Sequence, residues 1–140
     1  MTSQPFEFSV GIECTLIVDE RPNAHPPLRR LEQFELMKHY DMWRQDLDLV
    51  AKLKTDNHRV TKLRWCFPWY RMESERGKID FSWTDAVVDR ANELGIELVP
   101  DIVHYGTPQW LDNAFLHPDY SERVSHFAQV CAEAAQTICD

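Results

Sequence analysis

Residues 95–104 read Gly95-Ile96-Glu97-Leu98-Val99-Pro100-Asp101-Ile102-Val103-His104, and this stretch decides the fold. From Ile96 to Val103, six of eight residues are apolar, counting Pro100. A run with so little alternation reads as a strand covered on both faces, the habit of parallel sheets. The residues before it read as a helix beginning at Ser82, with Val87, Ala91 and Leu94 as its apolar stripe. Ser82 and Asp85 predict a short capping box at its start. Gly95 ends it where a left-handed residue is wanted.

The same alternation repeats outward. Phe6 to Ile12 (FEFSVGI) predicts a first strand, and a long loop follows in which Pro22, Pro26 and Pro27 forbid helix. Tyr40 to Lys54 predicts a helix with Trp43, Leu47, Val50 and Ala51 on one face. Lys54 to His58 is a polar turn, and Val60 to Trp65 (VTKLRW) predicts the second strand. Pro108 opens a short helical turn through Leu111, and Ser121 to Ile138 predicts the longest helix, lined by Val124, Phe127, Cys131, Ala134 and Ile138. Strands alternating with helices imply right-handed βαβ units. The first strand ends in Gly11-Ile12-Glu13-Cys14-Thr15, without the glycine-rich phosphate loop of a doubly wound sheet. The expected class is therefore α/β: a partial (β/α)8 TIM barrel comprising about the first three β/α units, with residues 1–140 as one incomplete barrel domain.

Composition bounds the function. The 140 residues carry Asp+Glu 23 against Lys+Arg 15, a net charge of −8, with 44% hydrophobic and 11% aromatic residues. That suits a globular domain and opposes binding to nucleic acid or anionic membrane surfaces. No apolar run approaches the about 20 residues that span a bilayer. The start MTSQPFEFSV has no signal-peptide pattern, so a cytoplasmic location is expected by default. Cys14, Cys66, Cys131 and Cys139 lack C-x-x-C spacing and read as free thiols in a reducing compartment. No cofactor is expected. Neither H-x-H nor H-E-x-x-H occurs, so no metal site is expected either.

In a (β/α) barrel the chemistry sits at the C-terminal ends of the strands. Those ends carry Glu13, then Arg64, Trp65, Trp69 and Arg71, then His104 and Tyr105, with Trp110 in the loop beyond. Aromatic platforms beside charged hydrogen-bonding groups suit sugars. Trp65 and Trp69 read equally well as packing residues, and Arg71 as an exposed ion pair with Glu73 or Glu75. Arg64 stands in an apolar strand and needs a carboxylate or a ligand.

Arg64-Trp65-Cys66-Phe67-Pro68-Trp69-Tyr70-Arg71 resembles the second-strand segment of family 1 glycoside hydrolases, R-F-S-x-x-W-x-R. His104-Tyr105-Gly106-Thr107-Pro108-Gln109-Trp110-Leu111 resembles that family's H-W-D-x-P-Q-W-L. The resemblance implies an eight-stranded barrel that hydrolyses β-glycosidic bonds with retention, using two glutamates. It makes Arg64 the arginine that orients the nucleophile, His104 the histidine that binds a hydroxyl of the innermost sugar, and Trp69 a supporting aromatic. Glycine stands at position 11, where the family has a sugar-binding glutamine, and Glu13 can take over as acceptor. Tyr105-Gly106 replaces Trp-Asp. The Asn-Glu-Pro segment of the family's acid/base is absent from the sequence. The expectation is therefore the N-terminal part of a β-glycosidase. Glu13, Arg64, Trp69, His104, Tyr105 and Trp110 would bind a β-glycoside or oligosaccharide, with no catalytic glutamate in the chain. A non-catalytic carbohydrate-binding or interaction fragment is the alternative. Oligomeric state stays open.

Overall fold

A computed structural model describes residues 8–19, 29–53 and 60–139. Strands β1 (Phe8–Ile12), β4 (Val60–Cys66) and β5 (Glu97–Asp101) form a parallel sheet in the order β1-β4-β5. Helix α2 (His39–Lys52) lies between β1 and β4 in sequence, α4 (Ser82–Leu94) between β4 and β5, and α5 (Tyr120–Cys139) follows β5. This is the expected α/β chain of three β/α units. Phe6 and the Lys54–His58 turn lie outside the described residues.

Two-residue alternation along β4 sorts the sheet's faces. Leu63 and Trp65 are fully buried in a core shared with Trp43, Leu47 and Val50 of α2, Val87 and Ala91 of α4, and Phe127 and Cys131 of α5. Arg64 points the other way, in register with Gly11 of β1 and Val99 of β5. That inner face is exposed around Arg64 and Val99 and covered at Cys66, which is buried with Cys14, Leu16, Phe34 and Tyr70. Val99 is 43% exposed, so the two-sided burial expected of the third strand is one-sided here.

The long loop expected after the first strand is in part a hairpin. β2 (Leu16–Asp19) pairs antiparallel with β3 (Arg29–Glu32), and a one-turn helix α1 (Gln33–Leu36) follows. Four-residue strands are too short to reveal a period, which is why the prolines dominated the reading. The capping box is also absent. Ser82 is the first helical residue of α4, and Asp80 Oδ1 accepts from the Ser82 N–H at 2.9 Å in its place. Gly95 does end α4, at φ 67°. The short turn α3 (Trp69–Met72) follows β4 directly.

Cys14 and Cys66 are joined as a disulfide across 52 residues, with Cα atoms 5.8 Å apart. This corrects the free-thiol expectation and removes its argument for a reducing compartment. Strands β1 and β4 are neighbours, so residues just past or at their ends come within bridging distance. Cys131 stays a thiol, buried and pushed up to about 12 by that burial. Alkylation of the denatured, unreduced chain followed by mass spectrometry is expected to leave Cys14 and Cys66 unlabelled. Cys66→Ser is expected to lower the unfolding free energy by about 2–4 kcal/mol in urea titrations.

His39 is 2% exposed against Phe34 and Trp65, with Nδ1 2.5 Å from Asp46 Oδ2. Burial lowers its pKa, outweighing the opposing pull of Asp46. The unfolded chain therefore takes up a proton near the ordinary value of 6.5 while the fold still excludes it. Stability is expected to fall as pH drops through that value, by at most about 1.4 kcal/mol per pH unit. Urea midpoints between pH 7.5 and 5.5 should show this slope in the native chain and lose it in His39→Gln.

Candidate active-site wall at the strand ends

The C-terminal ends of the three parallel strands face one region. β1 runs out into Glu13, β4 carries Arg64, and β5 runs through Asp101 towards His104. Glu13 Oε1 accepts hydrogen bonds from Arg64 Nε and Nη2. Glu13 Oε2 stands 3.5 Å from His104 Nε2. On its other edge His104 Nδ1 meets Asp101 Oδ2 at 2.8 Å. One chain of contacts thus runs Arg64, Glu13, His104, Asp101 across the sheet. Arg64 and His104, expected to share a pocket rim, are brought onto a single carboxylate.

Chemically this is a hydrogen-bonding rim. Arg64 engages one oxygen of Glu13, which leaves the other open beside the imidazole to accept a hydroxyl. Asp101 fixes the orientation of the His104 ring, as a carboxylate on the far nitrogen does wherever an imidazole must present one edge. Asp101 escaped the sequence reading. Its signal was an acidic residue three positions before a histidine at a strand end.

Gly11 explains the geometry of Glu13. A Cβ at position 11 would come 2.5 Å from Glu13 Oε1 and 3.8 Å from Arg64 Nε. The absent side chain is the space that the Glu13 carboxylate fills.

Trp69 and Trp110 are both engaged by Glu73. Trp69 is buried, its indole N–H donates to Glu73 Oε2 at 2.7 Å, and its ring stacks on Phe127 at 5.3 Å. Trp110 donates to the Glu73 carbonyl at 2.7 Å and meets Trp69 edge-on. Both tryptophans are therefore tied into a knot around the buried Glu73. The packing reading also holds for Trp65, which is fully buried against Phe34, His39 and Trp83. Tyr105 does stay at the rim. It is 68% exposed, sits edge-on to His104 at 4.9 Å, and lines a cavity of about 430 Å³ with Thr15, Ile17 and Phe115.

Residues 33–139 match the beta-galactosidase family, glycoside hydrolase family 42. The chain belongs to that family. The expected assignment to family 1 is corrected accordingly, and its broader content, a glycoside hydrolase chain, stands. Beta-galactosidase BgaH of Haloferax lucentense is 30% identical over 83 residues, which is 59% of this chain and 12% of that protein. Beta-galactosidase BbgII of Bifidobacterium bifidum is 30% identical over 79 residues, covering 56% of this chain and 11% of that protein. The chain therefore aligns with a small fraction of the length of these relatives. A beta-glucosidase from Exiguobacterium marinum superposes with a TM-score of 0.59 at 22% identity, over 68% of this chain and 22% of that one. That likeness fixes the fold as part of a (β/α) barrel. Among the described residues, no helix is long and apolar enough to cross a membrane.

Gly11→Ala tests the geometry. The clash falls on the flexible end of Glu13, and an exposed ion pair contributes about 0–1 kcal/mol. Thermal unfolding is expected to move little, while crystallography of the variant should show Glu13 displaced from Arg64.

Proposed function

We propose that the protein carrying this stretch hydrolyses β-glycosides, β-galactosides first among them, and that this stretch forms one wall of the pocket for the sugar being released. The observation that carries the reading is the convergence of Arg64 and His104 on Glu13 at the strand ends, in a chain of the beta-galactosidase family. In this reading the open oxygen of Glu13 accepts a sugar hydroxyl and His104 Nε2 meets a neighbouring one. Arg64 holds Glu13 in place and presents its outer edge to the reaction centre. Tyr105 borders the sugar beside His104.

Hydrolysis with retention needs two carboxylates on either side of the scissile bond, one as acid/base and one as nucleophile. We assign neither role within these 140 residues. Glu13 is committed to Arg64, while Glu32 and Glu73 are buried and held by hydrogen bonds to the fold itself. The three-stranded sheet, open on its inner face around Arg64 and Val99, is then a segment of a barrel whose remaining strands supply the chemistry.

Two measurements test this. The isolated chain, incubated with an aryl β-galactoside, is expected to release no aglycone above a buffer blank; clear turnover would refute the division of labour. In the protein that carries the chain, His104→Ala or Glu13→Ala is expected to lower kcat/KM for that substrate at least a hundredfold. Near-native kinetics in both would remove these residues from the sugar pocket.

A further inference from the structure

A second cavity, of about 420 Å³, opens beside the strand ends between α1, the start of α2 and the turn that follows β4. Its floor is preformed. Glu32 is 2% exposed, and its Oε1 accepts from the hydroxyls of Tyr40, at 3.2 Å, and Tyr70. Glu32 Oε2 accepts from the Glu35 N–H at 2.5 Å. Burial and the neighbouring carboxylate push both tyrosine hydroxyls far above their ordinary range, so they stay protonated and keep donating to Glu32.

The rim offers donors and acceptors together. The Arg71 guanidinium carbon stands over the Tyr40 ring, 3.9 Å from its centroid, with no ion-pair partner among the described residues. The partners expected for it are engaged elsewhere: Glu73 holds Trp69 and Gly77, and Glu75 pairs with Lys78 at 2.5 Å. A pinned guanidinium presents a rigid fork of N–H groups. The same cavity is lined by the carboxylates of Glu35 and Asp80, the latter within reach of the Arg71 charge, and by the amide of Gln109.

That inventory selects a ligand class. Three carboxylates against one guanidinium repel phosphate, sulfate and organic acids. Among the described residues no group of His, Cys, Asp and Glu is arranged to hold a metal ion. A neutral ring with adjacent hydroxyls fits, because each hydroxyl both donates and accepts, and the volume lies within the ordinary range for small-molecule sites.

The cavity shares none of its lining residues with the rim of Glu13, Arg64 and His104. Tyr70, one of its walls, packs its ring on Gly106, where any side chain would collide with it.

We propose that this cavity is a second saccharide-binding site, taking a neutral glycosyl unit apart from the one held at Glu13. The ligand class is argued from the cavity itself; that two sugar sites coexist rests on the reading above. Calorimetric titration of the full chain with methyl β-D-galactoside and with lactose tests it, using Arg71→Ala, Gln109→Ala and Glu13→Ala variants. Arg71 and Gln109 are exposed, so both substitutions leave the core intact. Two-component binding is expected: Glu13→Ala removes one component and leaves the other, which Arg71→Ala and Gln109→Ala each weaken at least tenfold. Binding abolished by Glu13→Ala and untouched by the other two overturns the second site and leaves the first standing. Binding insensitive to Glu13→Ala but lost in Arg71→Ala supports the second site and sinks the first. No saccharide binding, or preferential uptake of inorganic phosphate, overturns the proposal.

Discussion

A guanidinium on the inner face of a parallel sheet demands a counter-charge, and the Glu13–Arg64 pair meets that demand. Register makes it possible. Gly11 stands opposite Arg64, so Glu13, two residues on and just past the end of β1, emerges on the same side and folds back across the empty position. Once Glu13 is so placed, its second oxygen is aimed at the loop after β5, where His104 meets it and Asp101 steadies the ring. The site is a consequence of strand order: Glu13 follows β1, Arg64 lies in β4, and Asp101 and His104 lie at and past the end of β5, and these strands are neighbours in the sheet.

The scaffold behind this rim is tied at several points just past the strand ends. The Cys14–Cys66 bridge follows Glu13 by one residue and Arg64 by two, so it fixes the separation of the two strands where their charged side chains meet. Glu32 joins the hairpin to Tyr40 at the head of α2 and Tyr70 after β4. Glu73 joins the turn after β4 to the loop after β5 through Trp69 and Trp110. Both carboxylates are buried, so removing either would strand hydrogen-bond donors in a dry interior. Loops that would otherwise drift are fixed relative to the sheet, which a binding rim requires.

The parts legible in the sequence were those governed by period. The stripes of α2 and α4, the strands at 60–65 and 96–103, and Gly95 as a helix stop all follow from spacing, and the structure places them within a few residues. Arg64 and His104 were legible because a charge at the end of an apolar strand is conspicuous. What stayed hidden was set by contacts between distant residues. Nothing local marks Cys14 and Cys66 as partners 52 residues apart, since their pairing depends on which strands are adjacent. Glu32 and Glu73 look like surface acids until their donors arrive from other segments. An indole at a strand end has the same composition whether it faces sugar or core, so nothing local shows that Trp69 donates to the Glu73 carboxylate and Trp110 to the Glu73 carbonyl.

Two departures from the resembled motifs share one physical meaning. Gly11 and Gly106 each mark a position where a side chain would occupy space that another residue now uses: the Glu13 carboxylate in one case, the Tyr70 ring in the other. Neither needs glycine's conformational freedom, since neither backbone is left-handed. Without a Cβ at position 11 the Glu13 carboxylate folds back onto Arg64. Without one at 106 the Tyr70 ring packs against the backbone there while its hydroxyl reaches Glu32. Each glycine thus makes room for a contact between segments far apart in sequence.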